Sequence, residues 1–253
     1  MYNDEYAASA AGAAAKAGML RKNPLGYFLL SALAGAYIGF GILLSFTVSG
    51  TLGAMPFTKI AMGLSFGVAL SLVVLAGAEL FTGNAFVMFN GLRLKTVTAG
   101  DVLKLWVVCY LGNWAGAIIL SLLFLAAAGP VGATGKALAA AAAMKMSLPP
   151  LVLFARGILC NVLVCLAVWC GFRTKNDVAK LIMVFWCLYA FFTCGFEHSI
   201  ANMTVLTVGM LAPFDAAVSL SGYAYNLFFV TLGNIVGAVL FLSIPYGIGA
   251  LKK

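Results

Sequence analysis

The sequence predicts an all-α membrane protein of six transmembrane helices, arranged as a 3+3 inverted repeat with helices 2 and 5 broken. Three observations carry this reading. Of its 253 residues, 64% are hydrophobic and only 9% charged, where a soluble domain carries about a quarter charged. Two of its apolar runs are much longer than a bilayer requires. Two short motifs also recur down the chain. Gly77-Ala-Glu-Leu-Phe-Thr-Gly-Asn84 matches Gly195-Phe-Glu-His-Ser-Ile-Ala-Asn202 at Gly77/Gly195, Glu79/Glu197 and Asn84/Asn202, and Leu111-Gly-Asn-Trp-Ala-Gly-Ala117 matches Leu232-Gly-Asn-Ile-Val-Gly-Ala238.

The chain divides into an N-terminal segment, 1–26, and one transmembrane domain, 27–250. Residues 4–20 are alanine-rich and helix-forming but hold too few large apolar residues to span a bilayer. They predict an interfacial helix on the cytoplasmic surface, ended by Asn23-Pro24. Span 1 covers 27–48 and offers Gly35-x-x-x-Gly39 as a close-packing face. The run 59–92 has 34 residues. As one helix it would be about 51 Å long, against a hydrocarbon core of about 30 Å. A break is expected at its polar cluster, Glu79, Thr82, Gly83 and Asn84.

Span 3 covers 102–128, and a Gly/Ala-rich connection, 129–147, leads to span 4 at 148–172. The run 178–211 again has 34 residues and contains His198; span 6 covers 218–250. With a cytoplasmic N-terminus, eleven basic residues fall on inside segments, against Lys59, Lys136 and Lys145 outside, with Arg156 in a span. That bias predicts a multi-pass protein of the cytoplasmic (inner) membrane with both termini in the cytoplasm. Three spans per half make the halves inverted, a plan used by transport proteins.

The formal charge of +8 is topogenic on this reading, and no soluble basic face exists to bind nucleic acid. The six cysteines form no CxxC and lie in apolar runs, so neither a disulfide framework nor a metal site is expected. No GxSxG, HExxH or Walker motif occurs. The chain is therefore not expected to be an enzyme or to hold a cofactor. Residues 1–26, with Asp4 and Glu5 near the start, do not read as a cleaved signal.

Glu79, Glu197 and His198 are the ionisable groups at the expected breaks, where charge in hydrocarbon is costly and marks function. A lone buried histidine is commonly just a hydrogen-bonded core group. His198 stands out because it is the only histidine and sits near mid-depth, able to donate, accept and hold a proton. Paired carboxylates can serve acid–base chemistry or a cation. Here Glu79 and Glu197, with Asn84 and Asn202, are expected to anchor the breaks by accepting from the freed backbone N–H groups. Thr82 brings a hydroxyl into the first break. Lys145 is either a solvated loop charge or an anion attractor in an outer vestibule.

Leu80-Phe-Thr-Gly, Gly195–Asn202, Asn161-Val-Leu-Val-Cys-Leu-Ala-Val-Trp169 and Thr231-Leu-Gly-Asn234 together resemble the formate/nitrite transporter family, over about residues 20–246. The resemblance implies an aquaporin-like fold and a homopentamer with one pore per protomer. It makes His198 the central pore histidine, Thr82 the threonine of a mobile loop, Asn161 a nearby asparagine and Lys145 the vestibule lysine. Phe66 and Phe191 fall at an outer constriction; Leu70, Leu80 and Phe81 fall at an inner one. It implies transport of a small monovalent anion (nitrite, formate or hydrosulfide) as, or with, a proton. Asn23-Pro-Leu-Gly-Tyr27 and Thr82-Gly83 lean the choice slightly to nitrite. Two other readings compete. A membrane-embedded redox or enzyme subunit would need several histidine ligands, and an aquaporin-type pore for neutral solutes would show paired Asn-Pro-Ala signatures.

Overall fold

The computed structural model describes residues 2–128 and 132–251, and these form helices joined by short turns, with no strand among them. The first residues of the 129–147 connection, and Lys252 and Lys253, lie outside the described residues. Six helical segments are long and apolar enough to cross a membrane: Pro24–Leu52, Thr58–Ala76, Ala99–Ala127, Pro150–Arg173, Asp177–Cys194 and Leu220–Ala250.

α1 (Asn3–Lys22) carries Asp4 and Glu5 in its first turn and Arg21 and Lys22 in its last, which suits the helix dipole. It is more enclosed than a helix lying on a membrane surface needs to be: Tyr6, Ser9, Ala10, Ala13, Ala17 and Leu20 are all buried. Its small side chains let it lie close under the bundle. α2 (Pro24–Leu52) starts at once, with the Asn23 side chain accepting from Gly26 N–H. The first long run is divided into α3 (Thr58–Phe66), α4 (Val68–Ala76) and α5 (Phe81–Arg93). α6 (Ala99–Ala128) opens on a reciprocal cap: Thr98 Oγ1 accepts from Asp101 N–H, and the Asp101 carboxylate accepts from Thr98 N–H.

The Gly/Ala-rich connection is itself helical. It forms α7 (Gly132–Ser147), which buries Leu138, Ala139 and Ala142 against α10 and α2. Alanine's helix propensity made this outcome available; neighbouring surface made it stable. α8 (Pro150–Arg173) has proline at its first position, where no N–H is needed. The second long run gives α9 (Asp177–Cys194) and α10 (Ser199–Leu211). α11 (Leu220–Ala238) passes through a π turn at Val239–Ser243 into α12 (Ile244–Leu251). The turn lies just before Pro245, and Arg93 donates to the freed carbonyls of Ser243 and Ile244.

α2 packs along α6, and α8 along α11. The repeated motif explains both pairings. A Cβ on Gly112 or Gly116 would overlap Ser31 or the Ala32 carbonyl of α2, and one on Gly233 or Gly237 would overlap the Phe154 or Ile158 carbonyl of α8. Glycine permits backbone-to-backbone approach, and the asparagine between each pair of glycines then reaches past its neighbour into the centre. The enclosed centre is made of the two short helices: α10 is buried throughout Ser199–Gly209 and α5 throughout Phe81–Met88. Large apolar residues such as Leu29, Leu33, Phe40, Ile119 and Leu123 point outward, as suits a hydrocarbon surround.

Candidate functional site

The two helix breaks are built alike. The first, 77–80, opens on Gly77 at φ 78°, and the second, 195–198, opens on Gly195 at φ 75°; a side chain at either position would be strained. Each closes on an extended residue, Leu80 (φ −102°, ψ 124°) or His198 (φ −110°, ψ 116°). Glu79 N–H donates to Leu30 O and Glu197 N–H to Arg156 O, both at 3.2 Å.

Further freed backbone groups go to two asparagines. Asn113 Oδ1 accepts from Phe81 N–H at 2.9 Å, while its Nδ2 donates to Ser31 O at 2.7 Å and Glu79 O at 2.9 Å. Asn234 Oδ1 accepts from Ser199 N–H at 2.9 Å, while its Nδ2 donates to Gly157 O at 2.8 Å and Glu197 O at 3.0 Å. A carboxamide supplies donors and an acceptor together, which a broken helix needs and a carboxylate cannot provide. These asparagines sit in the second repeated motif. The repeat marked them in the sequence without disclosing their use.

The expected role of the glutamate side chains is therefore corrected. Their carboxylates accept from side chains, not from the freed backbone N–H groups. Glu79 accepts from Lys16 Nζ at 2.6 Å, Asn84 Nδ2 at 2.8 Å and Tyr27 Oη at 2.9 Å. Glu197 accepts from Lys145 Nζ at 2.8 Å on both oxygens and from Asn202 Nδ2 at 2.6 Å. Asn202 also donates to Asn226, whose own amide donates to Lys145 O. A full negative charge in a buried place requires a cation, and each half supplies it from its alanine-rich helix, α1 or α7.

Lys145 and Glu197 are 14% and 2% exposed, so this pair is sensitive to loss of one partner. Lys145→Met, or Glu197→Gln, is expected to destabilise the protein by about 3 kcal/mol, whereas Lys145→Met with Glu197→Gln should lose much less than the sum of the two. Thermal unfolding of the four proteins in detergent measures the coupling. Additive single effects would refute the pairing.

Between the breaks, Thr82 Oγ1 and His198 Nε2 meet at 3.0 Å, with both residues buried. His198 Nδ1 accepts from Ala201 N–H at 3.0 Å and so caps α10. A nitrogen that accepts carries no proton, so the ring is the neutral tautomer with its hydrogen on Nε2, donated to Thr82. Thr82 is placed in turn from behind: Asn161 Nδ2 donates to Thr82 O at 3.2 Å and to Asn234 O at 2.7 Å, and Cys165 Sγ contacts Thr82 O at 3.4 Å. Asn161 Oδ1 is buried with no partner among the described residues. The N-termini of α5 and α10 thus converge on one hydrogen-bonded pair, bringing their positive dipole ends together.

Two cavities approach this pair from opposite sides. One of about 520 Å³ on the α1 side is bordered by Lys16, Gly77, Glu79, Leu70 and Leu80. The other, about 270 Å³ on the α7 side, is bordered by Lys145, Gly195, Glu197, Phe191 and His198. Between them, Phe66, Leu70, Leu80, Leu188, Phe191 and His198 enclose a gap with no room for a water molecule. The Phe191 ring lies 5.5 Å from Phe66 and 5.8 Å from the imidazole, centroid to centroid. Ile38 and Val164 also border this gap, and nothing in the sequence set these two or Leu188 apart from ordinary packing residues.

Phe81 is the exception among the expected constriction residues. Its ring packs on Trp106 and Tyr110 of α6. Leu80 is the extended cap and points to the gap, whereas Phe81 begins the helix and turns away.

A family model described as Formate/nitrite transporter matches residues 4–248. The chain belongs to this family. It is 39% identical over 247 residues to the nitrite transporter NirC of Salmonella typhimurium, covering 97% of this chain and 91% of the relative. It is 30% identical over 270 residues to the formate channel FocA of Escherichia coli strain K12, covering 97% and 94%. Among solved structures, an FNT family ion channel superposes with a TM-score of 0.92 at 39% identity, covering 97% of this chain and 98% of that one. A pentameric formate channel with formate bound superposes with a TM-score of 0.78 at 31% identity, covering 92% and 99%. This formate/nitrite transporter family member is a multi-pass membrane protein, and its family consists of transporters and channels, which removes the enzyme reading.

Proposed function

We propose that this protein passes small monovalent anions of weak acids across the membrane together with a proton, with nitrite placed before formate and hydrosulfide. One observation carries the reading. The buried Thr82–His198 pair is a neutral hydrogen-bonding site held between apolar closures, with a cavity on each side. A bare anion entering a gap lined by Phe66, Phe191, Leu70 and Leu80 loses its hydration at great cost. Proton uptake removes most of that cost. The neutral acid then exchanges hydrogen bonds with Thr82 Oγ1 and His198 Nε2, while the dipoles of α5 and α10 favour the return of negative charge.

The nitrite preference is supported by 39% identity to a nitrite transporter against 30% to a formate channel. The pentameric relative supports a homopentamer with one path per protomer. The two breaks, built alike and facing one another, support inverted halves. The basic-residue bias supports a cytoplasmic α1 side with both termini there, and an α7 side facing out of the inner membrane.

The test is flux in proteoliposomes at a fixed total concentration of nitrite or formate. Above the pKa of the acid, its neutral fraction falls about tenfold for each pH unit. Flux should therefore rise steeply as pH falls. A flux that is flat with pH would overturn proton-coupled passage, and a pore that passes glycerol but neither acid would overturn the whole reading.

A further inference from the structure

The seam between α2 and α6 ends in a concentration of positive charge. A Cβ on Gly112 would meet Phe28 O and Ser31, and one on Gly116 would meet Ala32 O, so the two helices run in the same direction. Eight residues back from the Gly112 contact lie Lys104 on α6 and, along α2, the junction with α1 where Arg21 and Lys22 stand. At about 1.5 Å per residue on both helices, these three side chains share one level. Arg21 Nη1 does reach across to Asp101 of α6, at 3.5 Å. Asp101 is already in use: its Oδ2 accepts from Thr98 N–H at 3.0 Å and from Thr98 Oγ1 at 2.8 Å. No ion pair involves Lys22 or Lys104 among the described residues, and Arg21, Lys22 and Lys104 are all exposed.

From this level toward mid-membrane the seam is apolar. Leu25, Leu29 and Leu33 recur at every fourth residue of α2, as do Leu103, Val107 and Leu111 on α6, and all six are exposed. The matching ends of α8 and α11 also expose Leu151 and Leu220. There, however, Lys145 is held by Glu197, and the segment before α11, 212–219, carries Asp215 and no basic residue.

We propose that Arg21, Lys22 and Lys104 bind the headgroup of an anionic glycerophospholipid whose acyl chain lies along the α2–α6 seam. Three cations against one carboxylate leave an excess of positive charge at the depth where lipid phosphates sit. Guanidinium and ammonium groups both donate to phosphate oxygens, and the leucine stripes offer the chain a hydrocarbon surface. Orienting the protein in the membrane requires basic residues on this side. It does not require three of them at one level above an apolar seam.

The test is native mass spectrometry of the full-length protein in detergent, titrated with dioleoylphosphatidylglycerol or dioleoylphosphatidylcholine. At about fivefold for each net charge, the parent should bind the anionic lipid about 25-fold more tightly. Lys104→Gln should cut that preference about fivefold, and Arg21→Gln/Lys22→Gln/Lys104→Gln should abolish it. The charge-keeping Arg21→Lys/Lys22→Arg/Lys104→Arg should retain it, which separates charge from misfolding; loss in both triple variants alike would overturn the site. Lys175→Gln, at an exposed lysine between α8 and α9, should leave the preference unchanged. An equal fall there would overturn a localised site in favour of a diffuse field. A parent with no preference would mean that neutral lipid or a neighbouring copy of this chain covers the seam, and would overturn the proposal. Competition by free glycerol 3-phosphate at the lipid's own concentration would overturn a membrane lipid as the occupant.

Discussion

His198→Phe should reduce acid flux to below about a tenth of the parent value across pH 5 to 8. The ring makes two bonds that phenylalanine cannot make: Nε2 to Thr82 Oγ1 and Nδ1 from Ala201 N–H, both at 3.0 Å. The substitution leaves a buried hydroxyl and a buried helix N–H without partners, each costing about 1–3 kcal/mol. On the proposed mechanism it also extends the apolar closure of Phe66 and Phe191 through the site that offers the permeating acid hydrogen bonds. A loss of about 1.4 kcal/mol at the barrier is tenfold in rate. Thr82→Val should act in the same direction and Thr82→Ser should retain most of the flux, because the hydroxyl is the shared element. The measurement is proteoliposome uptake with nitrite and formate compared. Parent-like uptake by His198→Phe at every pH would remove His198 from the mechanism.

Asn234→Leu should be the most destabilising of the single changes considered. Leucine is close in volume, so the effect isolates hydrogen bonding. Ser199 N–H and Glu197 O lose their partner, and Gly157 O, which keeps its bond within α8, loses its second donor. At about 1–3 kcal/mol for each orphaned buried backbone group, the two together lose about 2–6 kcal/mol, a fall of about 5–20 °C in Tm for a chain of this size. Asn113→Leu should act in the same direction but less strongly: it strips Phe81 N–H, whereas Ser31 O keeps its bond within α2 and Glu79 O keeps Cys109 Sγ. Thermal unfolding of the detergent-purified protein decides this. A fall of only a degree or two would mean that water or a neighbouring side chain takes over the freed groups.

The extent of what the sequence revealed varies from residue to residue. The breaks were legible because an ionisable group inside a 34-residue apolar run has few tolerable explanations. Their position was legible only to within a turn. The expected polar cluster ran from Glu79 to Asn84, whereas the chain leaves the helix at Gly77 and resumes it at Phe81, with Thr82, Gly83 and Asn84 in the first turn of α5. Polar residues gather on the capped end of a half-helix, so they mark the neighbourhood of a break rather than its limits. Lys145 read as either a loop charge or a vestibule charge, and its pairing with Glu197 over 52 residues is a long-range contact that no local pattern encodes. Phe81 and Leu80 are adjacent and similar in hydropathy, and only the helix phase separates their directions.

By itself, the sequence determined the class of solvent this chain is built for, its six crossings, the two interruptions and the internal correspondence between them. These follow from the cost of placing polar groups in hydrocarbon, which acts on every residue locally. The tertiary structure alone decided which groups meet that cost. Asn113 and Asn234 hold the backbone, Lys16 and Lys145 hold the carboxylates, and Thr82 and His198 are left facing each other. A hydrogen bond or an ion pair requires contact within about 3 Å, and helix packing across the bundle, permitted by Gly112, Gly116, Gly233 and Gly237, is what brings those partners within reach.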